Sequence, residues 1–190
     1  MRPVSVTLVA VPILLIALAI PSRATVLLPA EFREIVEQSQ IIVYGRVLEA
    51  VAELSDDRKR IETVVTFEVG TYLKGGAAGT ITFRVPGGQI GRYRSVTVGA
   101  PVFESGDEAV LFLNRRNAAA LPSIFGLNQG VFRVQRDART RQRIVMSPLL
   151  ARGQVPETVV RGAASRRPMP LETFGAQVRS IMAQLSGEAR

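Results

Sequence analysis

Apolar and polar residues alternate most regularly in the middle of the chain, over residues 61–88. Residues 65–69 read VTFEV and residues 81–85 read ITFRV, so an apolar side chain stands at every second position in both. This period of two predicts two β-strands, each with one buried face. A glycine-rich break at 75–79 separates them, and PGG at 86–88 ends the second. The pattern therefore predicts an antiparallel pair at the centre of a β domain.

Further strands are predicted on both sides of this pair. Residues 41–48 (IIVYGRVL) form one, and Gly45 within it indicates a bulge or a sharp bend. Residues 109–113 (AVLFL) are apolar at every position, which predicts the most buried strand of the domain. The polar residues 55–60 predict the tip of a hairpin. Shorter strands are predicted around 95–98, twice within 123–135, and as an edge strand at 144–146.

Two segments have the spacing of amphipathic helices. Within residues 29–40, Phe32, Ile35 and Val36 fall on one face. Residues 171–185 carry a longer apolar stripe, which we expect to pack on the β domain; binding of a partner or of a membrane surface is the alternative. The predicted class is mainly β, a small OB-like or related β-barrel with a short N-terminal helix and a C-terminal amphipathic helix.

The two ends of the chain differ in composition from the middle. Residues 1–24 have a positive start at Arg2, an apolar run at 8–20 and small residues before a cleavage point after Ala24. These features predict a secretory signal peptide, with an uncleaved N-terminal anchor as the alternative. The run is shorter than the ~20 residues of a spanning helix. We therefore expect a periplasmic or secreted bacterial protein with no transmembrane span in the mature chain.

This pattern divides the chain into four parts. Residues 1–24 are the signal peptide, 25–40 an N-terminal helical segment and 41–147 the β-barrel domain. Residues 148–190 form a linker rich in proline, glycine and arginine, followed by the C-terminal helix.

The chain contains neither histidine nor cysteine, which narrows its chemistry. A Ser-His-Asp triad, a nucleophilic thiol and a histidine or cysteine metal site are excluded, and we expect no metal or other cofactor. GxSxG and GKS or GKT motifs are also absent from the sequence. Paired carboxylates remain as a catalytic route, but Asp56 and Asp57 stand beside Arg58, Lys59 and Arg60, as in a solvated turn. Whether the protein is an enzyme stays open, and a non-catalytic role is favoured.

The loop that follows the second central strand is the candidate binding site. Glycines let a backbone approach a ligand closely, and arginines flank this loop on both sides. No helical pattern follows, so a phosphate cradle at a helix N-terminus is not predicted. The alternative is a loop that only needs positive φ angles. The candidate binding residues are Arg84, Pro86, Gly87, Gly88, Gly91, Arg92 and Arg94.

Positive charge is a second candidate feature, because the formal net charge is +8 and only Lys59 and Lys74 are lysines. Five arginines lie within residues 133–143, and on a strand the odd-numbered ones would share a face. A solvated edge protected by charge is one interpretation, and binding to an anionic polymer is the other. Nucleic acid is not an expected partner, because only Phe132 is close enough in sequence to supply a stacking ring.

The motifs of the β domain resemble those of two groups of proteins. Gly45-Arg46-Val47, residues 65–69 and Leu73-Lys74-Gly75 resemble the opening of OB-like modules of the tissue-inhibitor-of-metalloproteinase and netrin type. The cysteines of those modules are absent here, so metal-chelating protease inhibition is not carried over. The region 41–134 also resembles an uncharacterised group of secreted bacterial β-domain proteins, which implies a fold and an exported location. The residues shared with that group are 73–75, 85–88, 99–101, 106–108, 111–113, Gly126 and 129–132.

The sequence favours an exported, non-catalytic interaction module that binds a secreted or envelope protein, or an envelope polymer. Two alternatives come from other classes. One is a carboxylate-dependent hydrolase of the envelope, and the other is an arginine-mediated binder of anionic lipid or polymer.

Overall fold

The computed structural model describes residues 30–147 and 168–188. The signal peptide predicted over 1–24, the start of the helical segment and the predicted linker up to residue 167 lie outside the described residues. The elements are α1 (Phe32–Gln38), β1 (Ile41–Leu54), β2 (Ile61–Lys74), β3 (Thr80–Pro86), β4 (Gly88–Ile90), β5 (Tyr93–Ser95), β6 (Glu108–Asn114), β7 (Ser123–Ile124), β8 (Val131–Arg136), β9 (Arg143–Met146), β10 (Met169–Pro170) and α2 (Leu171–Glu188).

The fold is mainly β, with 45% strand and 18% helix, as the sequence predicts. Eight strands form one sheet in the order β1-β2-β3-β7-β6-β8-β9-β10, and β1 also pairs with β6. The extra pairing joins β1, β2, β3, β7 and β6 in a ring, but β7 meets β3 at the single pair Arg84–Ser123. Because this closure is so short, the sheet is large and is not a clear barrel.

Strand β1 is bent at Gly45, which confirms the predicted irregularity. The register between β1 and β2 shifts between Tyr44 and Gly45, and the first part of β1 also pairs with β6. A Cβ atom at Gly45 would lie 2.0 Å from the carbonyl oxygen of Glu68 and 2.8 Å from the ring of Phe67. Only glycine allows this approach of the two backbones, so the bend depends on it.

Strand β6 lies between two hydrophobic cores, which explains its uninterrupted apolar sequence. Ala109, Leu111 and Leu113 face the core inside the ring of strands, together with Phe67 and Phe83. The alternate residues face a second core between the sheet and the two helices. All five central residues of β6 are fully buried, as predicted. The second core includes Phe32, Ile35, Val36, Ile42, Val110, Phe112, Phe132, Val134, Val145, Phe174 and Val178.

The C-terminal helix packs on the sheet, which confirms the predicted use of its apolar stripe. Phe174 and Val178 are buried, and the Phe174 ring lies 5.1 Å from that of Phe132 and 5.3 Å from that of Phe32. Aromatic rings at such separations attract each other beyond the burial of their surface. Within the described residues, no helix is both long enough and apolar enough to cross a membrane.

One strand prediction is wrong, and a second strand is present as predicted but does not lie at the edge. The expected strand around 95–98 is replaced by the hairpin of β4 and β5, because the turn around Gly91 reverses the chain before residue 95. The predicted edge strand at 144–146 is β9, but β10 pairs with it through Met169 and Pro170 and takes the edge position. A stretch expected to belong to the linker therefore completes the sheet.

Candidate functional site

The candidate binding loop borders a groove of about 560 Å³, which we call the valine groove. Its floor is formed by Ala50 and Ala52 of β1, Thr63 of β2 and Val85 of β3, at the end of the core inside the ring of strands to which Val85 belongs. One wall is the bend at 86–89, and the other is the segment 94–103 except Val98 and Gly99.

The wall at 86–89 is held by close contacts that only glycine permits. Gly87 has φ +98° and Gly88 has φ +144°, both outside the range that other residues adopt easily. The Thr63 hydroxyl donates a hydrogen bond to the Gly87 carbonyl at 2.8 Å. A Cβ atom at Gly88 would lie 2.8 Å from the Thr63 hydroxyl and 2.9 Å from Ala52. The bend is therefore fixed against β1 and β2, and the groove is formed in advance of any ligand.

Arg133 holds the opposite wall. Its guanidinium group donates hydrogen bonds to the Asp107 carboxylate and the Val102 carbonyl, and it lies 4.8 Å from the centre of the Phe103 ring. Phe103 is buried and packs edge-on against Phe83 at 5.5 Å. These contacts fix residues 102–107 to the sheet. Val102 consequently has a defined position beside the groove although its side chain is in solvent.

Aliphatic side chains stand exposed along this wall. Val96, Val98 and Val102 are 70%, 91% and 76% exposed, and the ring of Tyr93 is exposed nearby in sequence. Single exposed apolar residues are ordinary, whereas a cluster beside a groove is typical of a surface that another molecule covers. These valines are not among the candidate binding residues that the sequence predicts. Valines alternate with other residues at 96 and 98, and this alternation predicted a strand with a buried face, whereas both side chains are exposed.

Four of the seven candidate binding residues line the valine groove: Pro86, Gly87, Gly88 and Arg94. Gly91 and Arg92 lie at the turn of the β4–β5 hairpin, where the Arg92 guanidinium covers the Tyr93 ring at 5.1 Å.

Arg84 is the third candidate residue that does not line the groove. It faces the opposite side of β3 from Val85, because side chains alternate along a strand. Its guanidinium contacts the carboxylates of Asp56 at 2.9 Å and Glu62 at 3.2 Å. The hydrogen bond to Asp56, together with the contact to Glu62, raises the pKa of Arg84 above its usual value. Arg84 therefore stays charged and paired with these two carboxylates.

A second opening, the arginine cleft, has a volume of about 280 Å³ and is lined by Arg136, Arg141, Gln142, Arg143 and residues 170–172. The prediction that the odd-numbered arginines of 133–143 share one face of a single strand is wrong. The run folds back as the β8–β9 hairpin, so Arg136 and Arg143 are cross-strand neighbours. Arg133 instead donates a hydrogen bond to the Val102 carbonyl in the wall of the valine groove.

Glu108 and Tyr44 lie beneath this arginine pair. The Tyr44 hydroxyl donates to the Glu108 carboxylate at 2.6 Å, and Arg143 Nε approaches the same oxygen at 3.2 Å. Burial and this hydrogen bond raise the pKa of Tyr44 to about 12. The phenol therefore stays neutral at physiological pH and acts as a hydrogen-bond donor.

Among residues 30–147 and 168–188, no two carboxylates line the same cleft. Of these described residues, no acidic one lines the valine groove, Glu172 alone lines the arginine cleft, and no acidic one lines a cleft of about 400 Å³ bordered by residues 75–82 and 118–122. Asp57 accepts hydrogen bonds from the Ser55 hydroxyl and the Lys59 N–H, as in the predicted turn, and these lower its pKa. No group of three or more acidic side chains in residues 30–147 and 168–188 is placed to hold a metal ion.

Comparison of the chain with protein-family models, with curated proteins and with solved structures finds no match.

Proposed function

We propose that this protein is an exported, non-catalytic interaction module that binds a protein partner through the valine groove. The observation that carries the proposal is the row of exposed valines beside a groove whose two walls are fixed. The predicted signal peptide at 1–24 supports the exported location. An OB-like arrangement is part of the proposal, because such folds present ligand sites on strands and loops of a small, partly open barrel.

The lining of the groove favours a protein segment over a polymer of sugars. Its floor and walls are mainly alanine, valine, proline and phenylalanine, and Arg94 is its one charged residue. A segment with an aliphatic side chain next to a carboxylate would match this surface in both shape and charge. Covering an exposed valine side chain stabilises a complex by up to about 1.5–3 kcal/mol.

The fixed walls also favour binding. A surface that is ordered before association loses little conformational entropy on binding, so more of the apolar contact appears as affinity. In this chain the Gly87–Gly88 bend and the Arg133 contacts provide that order.

The carboxylate-dependent hydrolase is not favoured by a specific observation, because none of the three clefts is lined by two carboxylates. Binding of an anionic group by arginine is a separate property, and it has its own site in the arginine cleft.

The test is an affinity capture from an envelope extract, with the purified chain, Val96→Ser/Val102→Ser, which changes two exposed valines of the groove lining, and a control, Leu121→Ser. Leu121 is an exposed apolar residue of the 400 Å³ cleft, so the control removes exposed apolar surface away from the groove. We expect the native chain and the control to retain one protein at high salt. The purified partner should bind the double variant about 10–100-fold more weakly, as expected for two uncovered valines. Equal binding to all three chains would contradict the proposal.

A further inference from the structure

The arginine cleft lies where the β8–β9 hairpin meets the start of α2, outside the lining of the valine groove. Three arginines line this one opening, namely Arg136, Arg141 and Arg143. Like charges repel, so placing three of them together costs stability unless an anion compensates them. The acidic groups near them therefore decide whether the cleft is already neutral.

Glu108 compensates only part of this charge. Its carboxylate is 23% exposed and accepts the Tyr44 hydroxyl at 2.6 Å. It lies 3.2 Å from Arg143 Nε and 3.8 Å from an Arg136 terminal nitrogen. The side chains of Arg136 and Arg143 are 60% and 47% exposed, and each guanidinium has further N–H donors beyond these contacts. Those donors remain for a ligand in solution.

Arg141 is brought to the cleft by a fixed turn. The Asp137 carboxylate accepts the backbone N–H of Thr140 at 2.7 Å and that of Arg139 at 3.0 Å, which lowers the pKa of Asp137. The Arg141 N–H donates to the Asp137 carbonyl at 2.9 Å, and Arg141 has φ +62°. Its side chain makes no ion pair with another described residue. The turn therefore holds the backbone of Arg141 at the cleft, and no described acidic side chain pairs with its charge.

Glu172 lines the cleft itself, and it is exposed and forms no ion pair within the described part of the chain. Three guanidinium groups against Glu108 and Glu172 leave a positive excess. The volume of about 280 Å³ is below the ~300–1,000 Å³ of pockets that enclose larger organic ligands. A small multivalent anion matches both the size and the charge. Phosphate fits best among such groups, because its oxygens accept two N–H groups from one guanidinium fork.

We propose that the arginine cleft binds a phosphate group, presented by a soluble phosphate compound or by a phospholipid headgroup. Arg141 is its principal ligand, and Arg136 and Arg143 supply the second and third donors. This site is independent of the valine groove, so either proposal can fail without the other.

The test measures binding of inorganic phosphate and pyrophosphate by calorimetry at constant ionic strength. The chains are the native protein, Arg141→Gln, Arg136→Gln and Arg92→Gln as a control. Arg92 lies at the tip of the β4–β5 hairpin, and its replacement removes the same charge outside the cleft. An ionic strength of about 0.15 M screens charges beyond ~8 Å, so the control should bind like the native chain. We expect Arg141→Gln to bind about tenfold more weakly, as for one charge-assisted contact.

Sedimentation with vesicles of phosphatidylcholine, with and without phosphatidylglycerol, distinguishes the two sources. Binding to phosphatidylglycerol that is lost in Arg141→Gln but kept in Arg92→Gln supports the site and identifies a lipid headgroup. Binding of the free anions alone, with the same dependence on Arg141, supports the site and identifies a soluble compound. If neither probe binds saturably, or if Arg141→Gln and Arg92→Gln weaken binding equally, the proposal is overturned. Circular dichroism spectra that match the native protein ensure that each variant is folded.

Discussion

Replacing Gly45 with alanine tests the bend on which the whole sheet depends. The added Cβ would lie 2.0 Å from the Glu68 carbonyl oxygen, far inside ordinary contact, and the obstructing atom belongs to the backbone of β2. Relief therefore requires the two strands to separate beside the pair Arg46–Glu68. Overpacking costs about 1–3 kcal/mol, and each backbone hydrogen bond lost costs about 0.5–1.5 kcal/mol. Alanine loses less backbone entropy than glycine on folding, which offsets about 0.5–1 kcal/mol of this cost.

With one hydrogen bond lost, these contributions predict that Gly45→Ala lowers the free energy of unfolding by about 2 kcal/mol, within limits of roughly 0.5–4 kcal/mol. The matched control is Gly79→Ala, because a Cβ there meets no atom within 4 Å. We expect the control to be neutral or to gain up to about 1 kcal/mol. Urea titrations followed by circular dichroism give both values. A Gly45→Ala protein within about 0.5 kcal/mol of the native chain, with the same denaturant dependence, would refute the account of the bend.

Two further predictions concern the helices. Lys74 Nζ donates to the carbonyls of Val36 at 2.9 Å and Glu37 at 3.0 Å, at the end of α1, so Lys74→Met should cost about 1–2 kcal/mol in urea titrations. Lys59→Met, at the hairpin tip, is the control, and equal stability of the two variants would contradict this role of Lys74. Phe174→Ala should cost about 3–5 kcal/mol and increase protease cleavage within α2, because the ring fills the second core. Unchanged cleavage and stability would show that α2 does not depend on this contact.

Local patterns in the sequence predict much of the fold. The AVLFL run correctly predicts a strand that is buried on both faces, because each face of β6 meets a core. Gly45 correctly marks the bend, and the stripe of α2 correctly predicts its packing. These features depend on neighbouring residues, whose alternation or spacing the sequence displays directly.

The contacts that build the candidate site are not local, and the sequence does not display them. Arg133 reaches back 31 positions to the Val102 carbonyl, so its role could not be separated from that of the other arginines in its run. Arg84 is different, because its alternation with Phe83 and Val85 already implied a side chain on the opposite face. Val96 and Val98 directly follow the β4–β5 hairpin. The glycines at 87, 88 and 91 allow a turn in this region, but they do not determine where the hairpin forms.

The most direct test of the valine groove is photo-crosslinking from single positions of the chain in its own cellular setting. A photoreactive residue replaces Val96, an exposed residue of the groove lining, and a control places it at Leu121, which is exposed in a different cleft. The account predicts that position 96 crosslinks to one partner protein, that position 121 does not, and that Arg94→Glu weakens the crosslink by reversing the charge of the groove. Equal crosslinking from both positions, or none from position 96 to any protein, would contradict the claim that the valine groove is the binding surface.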